Sequence, residues 1–150
     1  MKKRMLSLLL AVALVLGLCP GVFAAGSSYA DVLDTHWAHP YIEDVTEKGI
    51  MNGVDEKNFA PEDAMTRAMF VTVLHRLDGK PAAGAEAAIT FDDVPEDIWY
   101  TEAVRWASAN GIVNGYDEKT FGPDDKISRE QMCAILARYM NYAGITLPAE

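Results

Sequence analysis

The sequence is short of cysteine, of cations and of long apolar runs, and each shortage removes a class of protein. Only Cys19 and Cys133 occur in 150 residues, so no disulfide framework exists and stability must come from packing. Of 13 Lys and Arg, three crowd the N-terminus; the ten that remain face 22 Asp and Glu, a formal net charge of −12. So acidic a surface lacks the clustered cations that phosphate-backbone binding needs, and nucleic acid is excluded as a partner. The same charge keeps an exported protein soluble. The one long apolar stretch, Met5–Leu18, is shorter than the ~20 residues of a comfortable membrane span. It follows Lys2, Lys3 and Arg4 and precedes Pro20, Gly21 and a "VFA" ending at Ala24, the layout of a secretory signal peptide over residues 1–24. Leu18 is too bulky to precede a lipidated Cys19. The expected mature chain begins at Ala25, is exported, and has no membrane span.

Catalytic and metal-binding patterns are missing too. His36 and His39 have an H-x-x-H spacing, but no further ligand type supports them and two ligands do not make a site. The acidic loop "DEKTFGPDD" lacks the alternating oxygen ligands and final glutamate of a calcium-binding EF-hand. Asp55–Glu56 and Asp117–Glu118 are neighbours in a turn, whereas glycosidase carboxylates flank a cleft from separate elements. No Ser/His/Asp or Cys/His set is visible. Neither enzyme activity, cofactor nor metal is expected.

What the chain does have is a repeat. "NGVDEKNFAPEDAMTRAMF", from Asn52, returns as "NGYDEKTFGPDDKISREQM", from Asn114. At a constant offset of 62, Tyr29–Leu77 lies over Phe91–Tyr139 without a gap, with sixteen identities. They include Asp31/Asp93, Trp37/Trp99, Gly49/Gly111, Asn52/Asn114, Phe59/Phe121 and Arg67/Arg129. A gapless register specifies the same backbone path twice. The Gly/Ala/Pro-rich stretch Asp78–Ala88 reads as a connector.

Each copy predicts two helices around a structured loop, an all-α fold of tandem helix-loop-helix units. Trp37, Tyr41, Ile42 and Val45, matched by Trp99, Ala103, Val104 and Ala107, mark the first helix and place both tryptophans on its apolar stripe. Gly49 and Gly111 stand where a left-handed C-terminal cap is wanted. Phe70, Val73, Leu74 and Leu77, echoed by Met132, Ile135, Leu136 and Tyr139, mark the second. Thr66 and Ser128 are its N-caps. Ser128 with Gln131 has capping-box spacing, which Met69 breaks in the first copy. Phe59 and Phe121 are inward plugs of the loop. Cys133 replaces Val71, so a small buried apolar residue is expected there. One unit of about sixty residues has a marginal core, and its stripes should be covered by the neighbouring copy.

The order "FDDVPEDIWYTEAVRWASANGIVNGYDEKTFGPDDKISREQ", with its earlier counterpart "YADVLDTHWAHPYIEDVTEKGIMNGVDEKNFAPEDAMTRAM", resembles the surface-layer homology (SLH) module. The resemblance divides the mature chain into one module over 27–90 and a second over 91–150. It implies an α-helical, three-pronged assembly that holds secreted proteins non-covalently on the bacterial wall, normally with three modules. The implied ligand is a secondary cell-wall polysaccharide of the peptidoglycan layer, carrying pyruvate ketals and bound in grooves between modules. The family's Thr-Arg-Ala-Glu motif is present as "TRAM" from Thr66 and "SREQ" from Ser128, with its arginine but without its glutamate. By the same resemblance Gly115 and Tyr116 match the family's Asn-Gly-aromatic segment, and Trp37 and Trp99 its tryptophan.

A pyruvate ketal is a carboxylate on a sugar, and a guanidinium fork matches a carboxylate bidentately. Arg67 and Arg129 stand at helix starts, where unbonded N–H groups and the dipole also favour an anion. Remote acids matter little beside a contacting arginine, because screening acts over ~8 Å at physiological salt. Against this stands a purely structural role, in which either arginine pairs with Asp31, Asp93, Asp63 or Asp125. The expected ligand set is Arg67, Arg129, Thr66, Ser128, Gly115, Tyr116, Trp37 and Trp99. A third module would begin at position 153, beyond Glu150. The alternatives are an N-terminal piece of a larger S-layer protein or surface enzyme, or an assembly module that completes its groove with a second copy or another SLH protein.

Overall fold

A computed structural model describes residues 29–84 and 91–146. The signal-peptide reading falls outside them, as does part of the connector. The described residues form four helices: α1 (His39–Glu47), α2 (Arg67–Leu77), α3 (Thr101–Ala109) and α4 (Arg129–Tyr142). Among them the only extended pairing is an isolated antiparallel bridge between Thr66 and Lys126. The fold is all-α, and each repeat is a helix, a structured loop and a second helix. No described helix is long and apolar enough to cross a membrane.

Helix ends follow the local chemistry. Thr66 Oγ1 accepts from the Met69 N–H at 3.2 Å, and Ser128 Oγ from the Gln131 N–H at 3.3 Å. The reciprocal bond runs from the Ser128 N–H to Gln131 Oε1 at 3.0 Å. Met69 does not break the first box, as expected, but closes it: the Thr66 N–H donates to its sulfur at 3.5 Å. A thioether accepts weakly, yet it reaches the same place as a carboxamide oxygen. At the far end of α1, Gly49 has a φ of 65°. Its N–H bonds Thr46 O and that of Ile50 bonds Val45 O, both at 2.9 Å, a Schellman motif. Gly111 and Ile112 repeat it after α3.

The aspartate that opens each repeat staples the loop. Asp31 accepts from the Phe59 and Ala60 N–H groups at 2.9 and 2.7 Å; Asp93 accepts from those of Phe121 and Gly122 at 2.8 and 2.7 Å. Neither carboxylate is therefore an arginine's partner. The Phe59 N–H, above all, holds the Asp31 carboxyl below its ordinary value. The Asn58 side chain does the same for Asp55, and the Lys119 N–H for Asp117.

Packing crosses the repeat boundary. Helix α2 lies against α3 of the next copy, and Ala68, Phe70, Val71 and Leu74 join Val104, Trp106, Ile112 and Phe121 in one core. Tyr29, Val32 and Ile42 of the first copy form a separate, smaller cluster with Phe59 and Ala38 against it. Trp106, fully buried, ties three helices together. Its ring centroid is 5.2 Å from His75 on α2, and 6.4 and 5.6 Å from Tyr139 and Tyr142 on α4.

Several burial expectations are corrected, beginning with Tyr41 on the stripe of α1 and Leu136 on that of α4, which are 67% and 36% exposed. Trp37 and Trp99 are 78% and 57% exposed, because each sits in the turn before its helix and not on the helical stripe. Leu77, at the last turn of α2, is exposed as well. Cys133 is exposed although its counterpart Val71 is fully buried. The residue types are alike, but Val71 has a neighbouring module to pack against.

Replacing Trp106 by alanine should cost about 3–5 kcal/mol. Trp37→Ala or Trp99→Ala should stay within about 0.5 kcal/mol; urea denaturation of each variant measures the contrast. The depressed carboxyls set a pH dependence. A folded-state value below the unfolded one contributes stability that is present above the unfolded value and lost as pH falls through the folded one. Stability should be level down to about pH 4 and fall below it. Asp31→Asn should be less stable at neutral pH with a flatter acid limb, as read by urea midpoints across pH.

Candidate functional site

The bridge between Thr66 and Lys126 brings the start of α2 against the loop of the second copy. Two carbonyls of that loop cap the helix: the Arg67 N–H donates to Asp125 O at 2.9 Å and the Ala68 N–H to Pro123 O at 3.1 Å. With the Met69 N–H on Thr66 Oγ1, these donors of α2 are engaged and are not open to an anion as expected. An anion arriving here would meet the guanidinium.

Arg67 is only 4% exposed. Its Nε–H donates to Phe121 O at 3.0 Å and an Nη2–H to Asn114 O at 3.1 Å. The guanidinium carbon lies 4.6 Å from the Tyr116 ring centroid and 4.8 Å from that of Phe121. Cation–π attraction and two carbonyl dipoles therefore offset part of its desolvation. Among the described residues no carboxylate lies within ion-pair distance of it. Five N–H donors with two so engaged leave three, including both on Nη1.

The loop that receives Arg67 has little freedom. The Tyr116 N–H donates to Thr120 O at 2.7 Å, closing it on itself. A Cβ on Gly115 would lie 2.5 Å from Phe91 Cε1 and 2.5 Å from Thr120 O, so no side chain fits there. Tyr116 is half exposed, with its ring over the guanidinium. Gln131 Nε2 donates to Tyr116 Oη at 3.4 Å, so the capping box of α4 reaches the site from the other side.

Of the residues expected as a ligand set, Thr66, Arg67, Gly115 and Tyr116 come together, and Ser128 stands one link away through Gln131. Thr66 and Ser128 each accept a cap bond and keep a hydroxyl proton to donate. Arg129 is exposed on α4. Trp99 packs edge-on against Tyr100 at 4.9 Å, and Trp37 stacks on His36 at 5.9 Å. The carbonyls of Asn114 and Phe121, and the Gln131 amide, were missed. The first two belong to positions identical in both repeats, which was the available signal. Gln131 stood only for its capping box. Among the described residues no three His, Cys, Asp or Glu gather as a metal site.

The family model for the S-layer homology domain matches residues 28–69 and 90–133, more than half of the chain. An endoglucanase of Bacillus sp. (strain KSM-635) is 32% identical over 158 residues, covering 99% of this chain and 16% of that protein. A cellulosome-anchoring protein of Acetivibrio thermocellus is 31% identical over 114 residues, 74% of this chain and 25% of the relative. S-layer protein EA1 of Bacillus anthracis is 27% identical over 139 residues, 93% and 16%. The chain thus spans a quarter or less of the length of these relatives. With two matched modules and the helix-loop-helix repeat in place, the chain belongs to the S-layer homology family and is a secreted, cell-wall-associated protein.

Proposed function

We propose that this chain anchors non-covalently to the bacterial cell wall by binding an acidic polysaccharide, with Arg67 as the carboxylate receptor. The observation that carries the reading is a buried guanidinium with no carboxylate of its own among the described residues. Taking a charge out of water and leaving it without a counter-ion costs several kcal/mol in general. Phe121 O and Asn114 O orient the fork, and the remaining donors suit one carboxylate on a sugar, such as a pyruvate ketal. The Tyr116 ring offers a flat face for the sugar itself, and Thr66 a hydroxyl donor beside it.

A relative named as cellulosome-anchoring and another named as an S-layer protein support an anchoring role. The endoglucanase matches over only 16% of its length, so its name lends this chain no hydrolase. No catalytic role is assigned to any residue. Several modules along one polymer would add avidity to weak single sites.

Sedimentation with purified wall sacculi tests the reading. The protein should be retained on intact sacculi and released when mild acid removes the acidic ketals. Arg67→Gln, checked for an intact thermal transition, should weaken retention about tenfold or more, equivalent to at least ~1.4 kcal/mol. Unchanged retention of a folded Arg67→Gln protein would contradict it. So would equal retention of the unaltered protein on ketal-free walls, a result that does not depend on how the variant folds.

A further inference from the structure

The ring over the Arg67 guanidinium is flanked by two residues, and all three change between the copies. Tyr116, Gly122 and Gln131 stand where the first copy has Val54, Ala60 and Met69. In the second copy the three lie together. A Cβ added to Gly122 would overlap Tyr116 Cε2 and lie 3.2 Å from its Cδ2, and Gln131 Nε2 donates to Tyr116 Oη at 3.4 Å. The ring thus fills the space of a missing side chain, is held at its tip by an amide, and has the Arg67 guanidinium carbon 4.6 Å from its centroid.

The backbone does not explain the glycine. Gly122 has a φ of 73°, in the region that favours glycine, yet Ala60 takes 58° at the same place. Each donates its N–H to the aspartate that opens its repeat, at 2.7 Å. Each also accepts from the aspartate N–H three residues on, Ala60 O from Asp63 at 3.1 Å and Gly122 O from Asp125 at 3.3 Å. Alanine therefore fits this turn. Docking of α2 does not explain the glycine either, because the three atoms nearest to a Cβ at 122 belong to Tyr116 and Asp125 and none to α2. Of these, Asp125 Oδ2, at 2.8 Å, ends a short side chain that turns aside, and the first copy keeps an aspartate, Asp63, with its alanine. The rigid obstacle is the aromatic ring, and where the methyl is present the ring is missing.

We infer that Gly122 is a positioning residue of the Arg67 receptor: having no side chain, it leaves the space in which the Tyr116 ring seats on the guanidinium. The inference deepens the wall-binding reading and rests on it for the ligand. A methyl at 122 pushes the ring off the cation. Arg67 then loses a cation–π partner and gains water, so its remaining donors weaken toward an anion. The sugar loses the flat face beside them. With Val54 and Ala60, the loop of the first copy has neither the ring nor its seat.

Urea denaturation of Gly122→Ala, Tyr116→Val and the double variant separates ring contact from backbone strain. Gly122→Ala should lower the midpoint in the unaltered background, and by half as much or less where Tyr116 is already valine. In NMR spectra the Arg67 Nε–H resonance should move in the same direction in Gly122→Ala as in Tyr116→Val, since both take the ring current away. On wall sacculi each variant should lose retention severalfold, the double variant no more than Tyr116→Val. Equal midpoint losses in the two backgrounds overturn the inference, because the strain then belongs to the backbone alone. So does an Nε–H resonance that Gly122→Ala leaves in place, or full retention of the folded Gly122→Ala protein. If the unaltered protein is not retained on sacculi at all, the wall-binding reading falls, while the midpoints and the resonance still decide whether Gly122 seats the ring.

Discussion

A guanidinium held out of water by two carbonyls and two aromatic rings sets the terms of this structure. Arg67 enters from the first module and its partners all belong to the second. The bond set therefore forms only when α2 is docked on the second module's loop. Docking excludes water from the cation, which strengthens its remaining donors toward an anion. The junction that holds the modules together and the candidate receptor are the same piece of structure. A ligand that binds this docked state alone would also stabilise it.

This arrangement shifts the folding unit relative to the sequence unit. Alignment places a boundary in the connector after Asp78, yet the main core runs across it, from Ala68 to Tyr139. Even the C-cap of α2 takes part: Tyr139 and Tyr142 direct their hydroxyls to Asp78 at 3.4 and 3.5 Å. The larger core gathers the end of one module and nearly the whole of the next. The first module keeps a small cluster around Tyr29, Val32 and Ile42. Solenoid-like repeats are stabilised by such neighbour interfaces as much as within each unit.

Much of the local fold was legible because its causes are local. Helix positions, the Thr66 and Ser128 caps and the glycines after α1 and α3 all follow from residues within a turn of where they act. The failures share a different cause. Burial at Cys133 cannot be read from Val71, since the two have the same local setting and different neighbours. Trp106 escaped because its counterpart is Asp44, and a comparison of repeats draws attention away from positions that differ. Trp37 and Trp99 repeat faithfully, but they lie one turn too early to share the helical stripe. At the site, the cap-then-arginine order of Thr66–Arg67, repeated as Ser128–Arg129, was readable, whereas the orienting groups are main-chain carbonyls that carry no residue signature.

Native-state hydrogen exchange tests the central claim, that α2 folds as part of the second module. Amides within α2, such as those of Val71 and Leu74, should open with the same free energy as those of Val104 and Trp106 on α3, and α1 should exchange faster. If α2 instead opens together with α1, leaving α3 protected, the modules fold separately along the sequence boundary and the junction is not what organises the chain.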